Sequence, residues 1–240
     1  MTTPTSPDRH RTPRLDPRAF EFLAELEANN TREWFTPRAD EFTSLLVDPL
    51  ADTLRAASQR LSSGPWPVTG GRSAIFRQLR DQRYAKAVPY ATSVRALLTS
   101  SGTKPTREGC VHVEINTAGG FVGVGFHRPP AAFMAPIREH IVDSFDQWSA
   151  IRTALENAGH QLSDDRLTRM PRGFERRADH PAAADIRLRS IEYAVALSPE
   201  DWTNGRAVDA IVTAVRPGME LLRFGNRAAG LAHPDESTSR

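Results

Sequence analysis

The sequence predicts a single α+β domain, in which a mainly antiparallel sheet is covered by several helices. Three observations predict this class. Apolar residues recur at helical spacing near both ends and in the middle of the chain. Two alternating segments, 110–115 and 121–126, are separated by a Gly-containing turn and form a hairpin. The helical segments bracket the strands rather than alternating strictly with them, which is typical of α+β proteins.

The first quarter, residues 17–62, is predicted to form a helical hairpin. A first amphipathic helix ends near Asn29, and Asn30 followed by Glu33 predicts an N-terminal capping box for the next helix. Pro49 predicts a kink or a restart with Asp48 as the N-cap. The two apolar stripes are Phe20, Leu23 and Leu26, and then Leu46, Leu50, Leu54, Ala57 and Leu61.

The remaining elements follow a loop rich in Ser, Gly and Pro at 62–71. Period-two alternation or apolar character predicts strands at 74–79, 110–115, 121–126, 162–170 and 191–197. Helical spacing predicts helices at 131–158, 181–189 and 205–224, the last kinked at Pro217-Gly218. Gly123 and Gly125 share one face of their strand, where missing side chains would let another backbone or a ligand approach closely.

Composition places the chain among ordinary globular proteins. Its 240 residues are 39% hydrophobic and 25% charged, with a net charge of +2. No apolar run is long enough for a membrane span, no apolar signal core is present, and the lone Cys110 excludes an internal disulfide; these features predict a cytoplasmic protein. Residues 1–16 and 230–240 are predicted to be disordered tails around one domain at 17–229.

The clearest candidate site is the segment Ile75 to Tyr90, which reads IFRQLRDQRYAKAVPY. It crowds Arg77, Arg80 and Arg83 around one acid, Asp81. Arginine outnumbers lysine 29 to 2 in the chain, so the clustering is the signal rather than the number. Either the guanidiniums converge on a phosphate or carboxylate with Asp81 orienting one of them, or they form an ion-pair network that fixes the strand.

Two further residues are candidates for proton transfer. Tyr90 closes the segment next to Pro89, where Lys86 and its neighbours would form the lip of a pocket; its hydroxyl donates to an anion, or else its ring packs in the core. His127 follows the glycine-containing strand, and strand ends that lead into loops often carry functional residues. The alternative is a structural histidine.

Metal and nucleotide-cofactor sites are not predicted. Cys110, His112 and Glu114 share a strand face, but ligands on one short strand diverge, whereas a zinc site takes its ligands from several elements. The chain has no HExxH, paired CxxC, P-loop or GxGxxG sequence.

The motif segment also carries a resemblance. Together with Asn30-Thr31-Arg32-Glu33-Trp34-Phe35, the pattern R-x-x-R-D-x-R at Arg77–Arg83 resembles the DUF2461 family of bacterial proteins of unknown function. The resemblance covers roughly residues 18–203, and it further includes Gly123, Gly125, His127, Pro129, Arg138, Arg169, Pro171, Gly173, Phe174, His180 and Pro181. The family's acidic-lysine pair and final lysine are replaced by Ala87-Val88 and Ala91. The resemblance implies that Arg138, Arg169, Arg172 and His180 face one cleft, but it implies no particular reaction. The alternative is a C-terminal lobe in which these residues form surface ion pairs.

The sequence thus predicts a protein with an arginine-lined pocket for a small phosphorylated or carboxylated molecule, and it leaves any reaction open. The predicted ligand-binding residues are Arg77, Arg80, Asp81, Arg83, Lys86, Arg138 and Arg169, and the candidate catalytic residues are His127 and Tyr90. The alternative prediction is a non-catalytic module whose basic ridge binds a protein or a nucleic acid. No cofactor and no membrane partner are predicted.

Overall fold

A computed structural model describes residues 12–81, 88–104 and 108–233. Its centre is a four-stranded sheet in which neighbouring strands along the chain are also neighbours in space and every pair is antiparallel. This confirms the predicted α+β class. The strands are β1 (Val94–Leu98), β2 (Cys110–Asn116), β3 (Gly119–Phe126) and β4 (Ile191–Leu197).

The helices form a layered cover on one face of this sheet. The N-terminal group comprises α1 (Arg18–Ala28), α2 (Arg32–Phe35), α3 (Ala39–Phe42) and α4 (Asp48–Arg60). The middle and C-terminal groups comprise α5 (Ala131–Asp143), α6 (Phe145–Asn157), α7 (Ala183–Ile186), α8 (Pro199–Thr203), α9 (Ala207–Val215) and α10 (Met219–Ala228). Within the described residues, no helix combines the length and the apolar character needed to cross a membrane.

The hairpin of β2 and β3 forms as the alternation predicts. Asn116 pairs with Gly119 across a two-residue turn, in which the Asn116 Oδ1 accepts a hydrogen bond from the Ala118 N–H at 3.0 Å. Val111, Val113 and Ile115 are fully buried beneath the helices. Because side chains alternate along a strand, Cys110, His112 and Glu114 lie on the opposite face, which we call the open face.

The structure contains one strand that was not predicted and lacks two that were. β1 was not predicted, because Leu97 places an apolar residue on the outward face and blurs the alternation of Val94, Ala96 and Leu98. Segment 74–79 is not a strand: Ala74 ends a short 3-10 turn, and Ile75 joins β1 through an isolated bridge with Ala96. Segment 162–170 makes a single bridge, between Arg166 and Leu188, rather than a strand.

Three helix predictions also needed correction. The predicted helix 131–158 is two helices that meet at Ser144, whose φ of −123° and ψ of 46° end α5. Thr31, and not Asn30, caps α2, with its side chain accepting from the Trp34 N–H. The predicted restart with Asp48 as N-cap is not found: residues 43–47 form a π-helical turn that continues directly into α4, and Asp48 is the first residue of that helix. A 3-10 turn interrupts the last helical run at Pro217-Gly218, where the proline predicts a kink.

The packed structure extends beyond the domain boundaries predicted from composition. Leu15 was assigned to the N-terminal tail, yet it is 1% exposed and its N–H donates to the Trp202 carbonyl at 3.0 Å. Leu231 packs against the core, and the His233 ring nitrogen contacts the Pro65 carbonyl at 2.9 Å. Leu15, Leu231 and His233 therefore contact the packed structure although they lie outside the predicted range 17–229.

Candidate functional site

The motif segment runs along the outer side of β1. The Phe76 N–H donates to the Arg95 carbonyl, and the Arg80 N–H donates to the Pro89 carbonyl, both at 2.8 Å. Arg77 and Arg80 are exposed, and Asp81 is half-buried. Arg83 and Lys86 lie outside the described residues. The three described members of the predicted cluster do not line any of the three cavities discussed below.

Three large apolar side chains of this segment are exposed. Phe76 and Leu79 are each 36% exposed, and Val88 is 39% exposed. The Arg95 guanidinium lies 5.8 Å from the Phe76 ring centroid, and the Lys104 ammonium lies 5.1 Å from it. The segment therefore exposes apolar and cationic side chains side by side. We call the surface formed by Phe76, Arg77, Leu79, Arg80 and Val88 the motif ridge.

Tyr90 has a packing role. Its ring is 8% exposed and stacks on Phe35 at a centroid distance of 4.1 Å. Asn30, which was predicted as a helix cap, instead clasps the Tyr90 backbone: its amide donates to the Tyr90 carbonyl and its oxygen accepts from the Tyr90 N–H, both at 3.0 Å. Tyr90 lies beyond β1 and His127 lies beside β4, so the two candidate catalytic residues are at opposite edges of the sheet.

His127 lies directly after β3, at the strand end where the sequence places it. Its Nδ1 is 2.6 Å from the Glu192 Oε1 of the neighbouring strand, and its side chain is 75% exposed. A carboxylate that contacts one ring nitrogen fixes the imidazole orientation and leaves the other nitrogen toward solvent. This arrangement is suited to proton transfer.

The open face next to this pair holds two groups with shifted pKa values. Burial, then the positive charge of Arg95, lowers the pKa of His112 from 6.5 to about 4. Burial, then the nearby Glu108 carboxylate, raises the pKa of the Cys110 thiol to about 12. The thiol is therefore a poor nucleophile at neutral pH. Among the described residues, no three His, Cys, Asp or Glu side chains are grouped as a metal site would require.

Arg138 is predicted to bind a ligand, and the structure shows that it also braces the backbone. It is 6% exposed on α5, and its Nε and Nη2 donate to the Ile186 and Leu188 carbonyls at 2.8 and 2.9 Å. Burial lowers its pKa from the ordinary value of an arginine. Arg169 is exposed and is not among the residues that line the adjoining cleft.

That cleft lies between the start of α5 and the chain around residues 167–189, and its volume is about 410 Å³. We call it the arginine cleft, because four of its nine lining residues are arginines. These are Arg128, Arg138, Arg172 and Arg189, and the remaining lining residues are Pro129, Ala131, Met134, Leu167 and Pro171. Pro129, Arg138 and Pro171 are also positions that carry the family resemblance.

The carboxylate of Asp165 contacts two of the four arginines. Its Oδ2 accepts from the Arg128 Nε at 2.9 Å, and its Oδ1 lies 3.8 Å from the Arg189 Nη1. Arg128 has a φ of 39°, which is an uncommon backbone conformation for a residue other than glycine, and its N–H donates to the Ser190 hydroxyl at 3.0 Å. Such strained residues are frequent at binding sites.

Neither of the other two cavities has a comparable excess of one charge. The largest, about 960 Å³, is lined by Arg14 and Arg55 and equally by Asp16 and Asp52. A smaller one of about 200 Å³ contains Arg152, whose Nη1 already donates to the Asp185 Oδ1 at 2.9 Å. The arginine cleft is therefore the better candidate for an anion.

Sequence reasoning missed Arg128 and Arg189 as site residues. Arg128 carries a usable signal, since it follows His127 at a strand end and precedes two prolines. Arg189 carries none, because its approach to the cleft depends on how residues 165–167 pair with residues 187–189.

Comparisons with known proteins give one finding. A family model described as "Conserved hypothetical protein (DUF2461)" matches residues 18–224. Searches of curated proteins and of solved structures gave no match. The matched range runs from the first residue of α1 into α10 and includes the sheet, the motif ridge and the arginine cleft. The chain therefore belongs to the DUF2461 family.

Proposed function

We propose that this protein binds a small anionic molecule in the arginine cleft. The observation that carries the proposal is the set of charged residues there: four arginines are among the residues that line the cleft, and Asp165 is the carboxylate paired with two of them. Arg172 has no ion-pair or hydrogen-bond partner among the residues that the structure describes. An arginine fork with open donors binds a carboxylate or phosphate well, because two parallel hydrogen bonds form at once.

The proposal keeps the ligand class predicted from the sequence and moves the site. Arg77 and Arg80 lie on the β1 side of the sheet, whereas Arg128 and Arg189 lie next to β4. Arg138 belongs to both the predicted set and the cleft, but two of its donors are occupied by backbone carbonyls. Arg172 and Arg189 are therefore the residues expected to contribute most to anion binding.

Calorimetric titration with inorganic phosphate and with citrate, at low chloride, tests the proposal. Arg172→Ala removes the unpartnered guanidinium, so binding is expected to weaken at least about tenfold, as for loss of a charge-assisted hydrogen bond. Arg77→Ala is the matched control, since it removes an exposed arginine from the other side of the sheet. Binding that survives in Arg172→Ala and is lost in Arg77→Ala would return the site to the motif segment and refute the proposal.

A second candidate function rests on the motif ridge. Phe76, Leu79 and Val88 are exposed next to Arg77 and Arg80, and exposed apolar side chains framed by charge are typical of protein-binding surfaces. On this hypothesis the ridge binds an acidic protein partner. A double variant, Phe76→Ser with Leu79→Ser, would abolish the association and leave anion binding in the cleft unchanged.

A further inference from the structure

We infer that the ligand of the arginine cleft is amphiphilic, with one oxyanion end and an apolar body. This inference rests on the proposed anion binding and adds the chemical class of the ligand. Its basis is the mixed lining of the cleft, in which four arginines and five residues with apolar side chains occur together.

The hydrocarbon part is contributed by residues from three segments. Met134 comes from α5, Pro129 precedes that helix, and Leu167 and Pro171 come from the chain that leads to α7. None of these side chains has a hydrogen-bonding nitrogen or oxygen. A bare inorganic anion would leave this surface in contact with water, whereas an apolar body would cover it and gain the free energy of burial.

Several N–H donors of the four arginines already have hydrogen-bond partners within the protein, so few remain for a ligand. The Nε and Nη2 of Arg138 donate to backbone carbonyls, and the Nε and Nη2 of Arg128 contact the Asp165 carboxylate. Arg189 contacts Asp165 only at 3.8 Å, and Arg172 has no partner among the described residues. The open donors therefore suit one anionic group rather than a chain of phosphates.

The size of the cleft agrees with this composition. A volume of about 410 Å³ lies within the range of about 300–1,000 Å³ that holds small organic molecules. Such a volume accommodates an alkyl or aryl body as well as its charged end. A carboxylate and a phosphate monoester share the required oxyanion chemistry, so the test includes both.

The test measures dissociation constants for two homologous series on the full chain, one from acetate through butyrate to hexanoate and one of ethyl, butyl and hexyl phosphate. Burial of each methylene is expected to tighten binding up to about fourfold, so hexanoate, with its longer alkyl chain, should bind up to about 250-fold more tightly than acetate. The series with the lower dissociation constants identifies the charged end.

Two variants separate the roles of the two surfaces. Leu167→Ser should weaken hexanoate binding at least threefold and leave acetate unchanged, whereas Arg172→Ala should weaken every member of the series by the same factor, about tenfold. Leu97→Ser is the matched control, because Leu97 is a half-buried leucine on β1, away from the cleft. Its variant should bind the whole series like the wild type.

The possible failures are distinct. Equal affinity for short and long members, with loss in Arg172→Ala, overturns the amphiphilic ligand and supports the proposed anion site. Tight binding of hexanoate that Arg172→Ala leaves intact overturns the role of the arginines, and absence of binding by both series and by phosphate overturns the proposed function itself.

Discussion

His112 lies in the middle of β2, with its ring edge-on to Phe121 at a centroid distance of 5.2 Å. Burial lowers its pKa to about 4 and thereby keeps the imidazole neutral at physiological pH. In the unfolded chain the same group has a pKa near 6.5. Protons therefore bind more readily to the unfolded state between these two values.

The first prediction concerns the pH dependence of stability. As pH falls from 6.5 to about 4, the wild type loses the stability due to neutral His112, because the unfolded histidine takes up a proton and the folded one does not. The loss amounts to roughly 2–3 kcal/mol. His112→Gln should flatten this part of the profile, measured by urea unfolding at pH 7.5 and 4.5. An unchanged slope in the variant would contradict the pKa shift.

At the residue scale, the sequence indicated positions better than roles. His127 was expected at a strand end and is found there, because alternation and turn residues define that end. The bracing role of Arg138 could not be predicted, since its carbonyl partners at Ile186 and Leu188 lie about fifty positions further along the chain. Asn30 was misread for the same reason: its partner, Tyr90, is distant in sequence.

At the element scale, Gly123 and Gly125 of β3 differ in how strongly the structure requires glycine. Gly125 has a φ of +134°, and a Cβ there would approach the Glu192 Cα to 2.7 Å, so the close approach of β4 requires glycine. At Gly123 the nearest atom to an added Cβ is a Phe121 ring carbon at 3.6 Å, which is ordinary contact. The predicted role in close approach therefore fits Gly125, where the approaching group is backbone.

The second prediction compares these two sites. Gly125→Ala should destabilise the protein by about 2 kcal/mol or more, because it combines a strained backbone conformation with a clash against β4. Gly123→Ala should change stability by less than about 1 kcal/mol, since its backbone and surroundings accept a methyl group. Urea unfolding of both variants measures the difference. Equal destabilisation would contradict the inference that only position 125 of this pair requires glycine.

Helices were predicted more accurately than their interruptions. The stripe from Met134 to Leu155 keeps helical spacing across Ser144, so nothing in the apolar pattern reveals the break between α5 and α6. Prolines mark such breaks unevenly: a 3-10 turn interrupts the helical run at Pro217, whereas Pro136 lies inside α5.

At the scale of the whole molecule, the segment that precedes α1 contacts the C-terminal half of the chain. Leu15 is buried, and its backbone donates to Trp202 of α8, whose indole is also fully buried. Composition alone placed Leu15 in a tail, because one apolar residue among Thr, Pro, Arg and Asp is too weak a signal.

The third prediction follows from this contact. Leu15→Ala should lower the free energy of unfolding by about 2–4 kcal/mol, as for other large-to-small substitutions at buried positions. Arg14→Ala, at the exposed neighbour, is the control and should change it by less than about 0.5 kcal/mol. The melting temperatures of both variants report the effect. A Leu15→Ala variant as stable as the control would show that the segment adds little to the fold.

The chain-order topology of the sheet has a kinetic consequence. A hairpin with a two-residue turn, such as that of β2 and β3, closes in about 1–10 μs, whereas β4 joins only after the long excursion through α5 and α6 has been closed. Arg128, Asp165 and Arg189 all lie within that excursion. We therefore expect the region of the arginine cleft to fold last. If the proposed anion binds there, it should slow unfolding and leave the refolding rate almost unchanged.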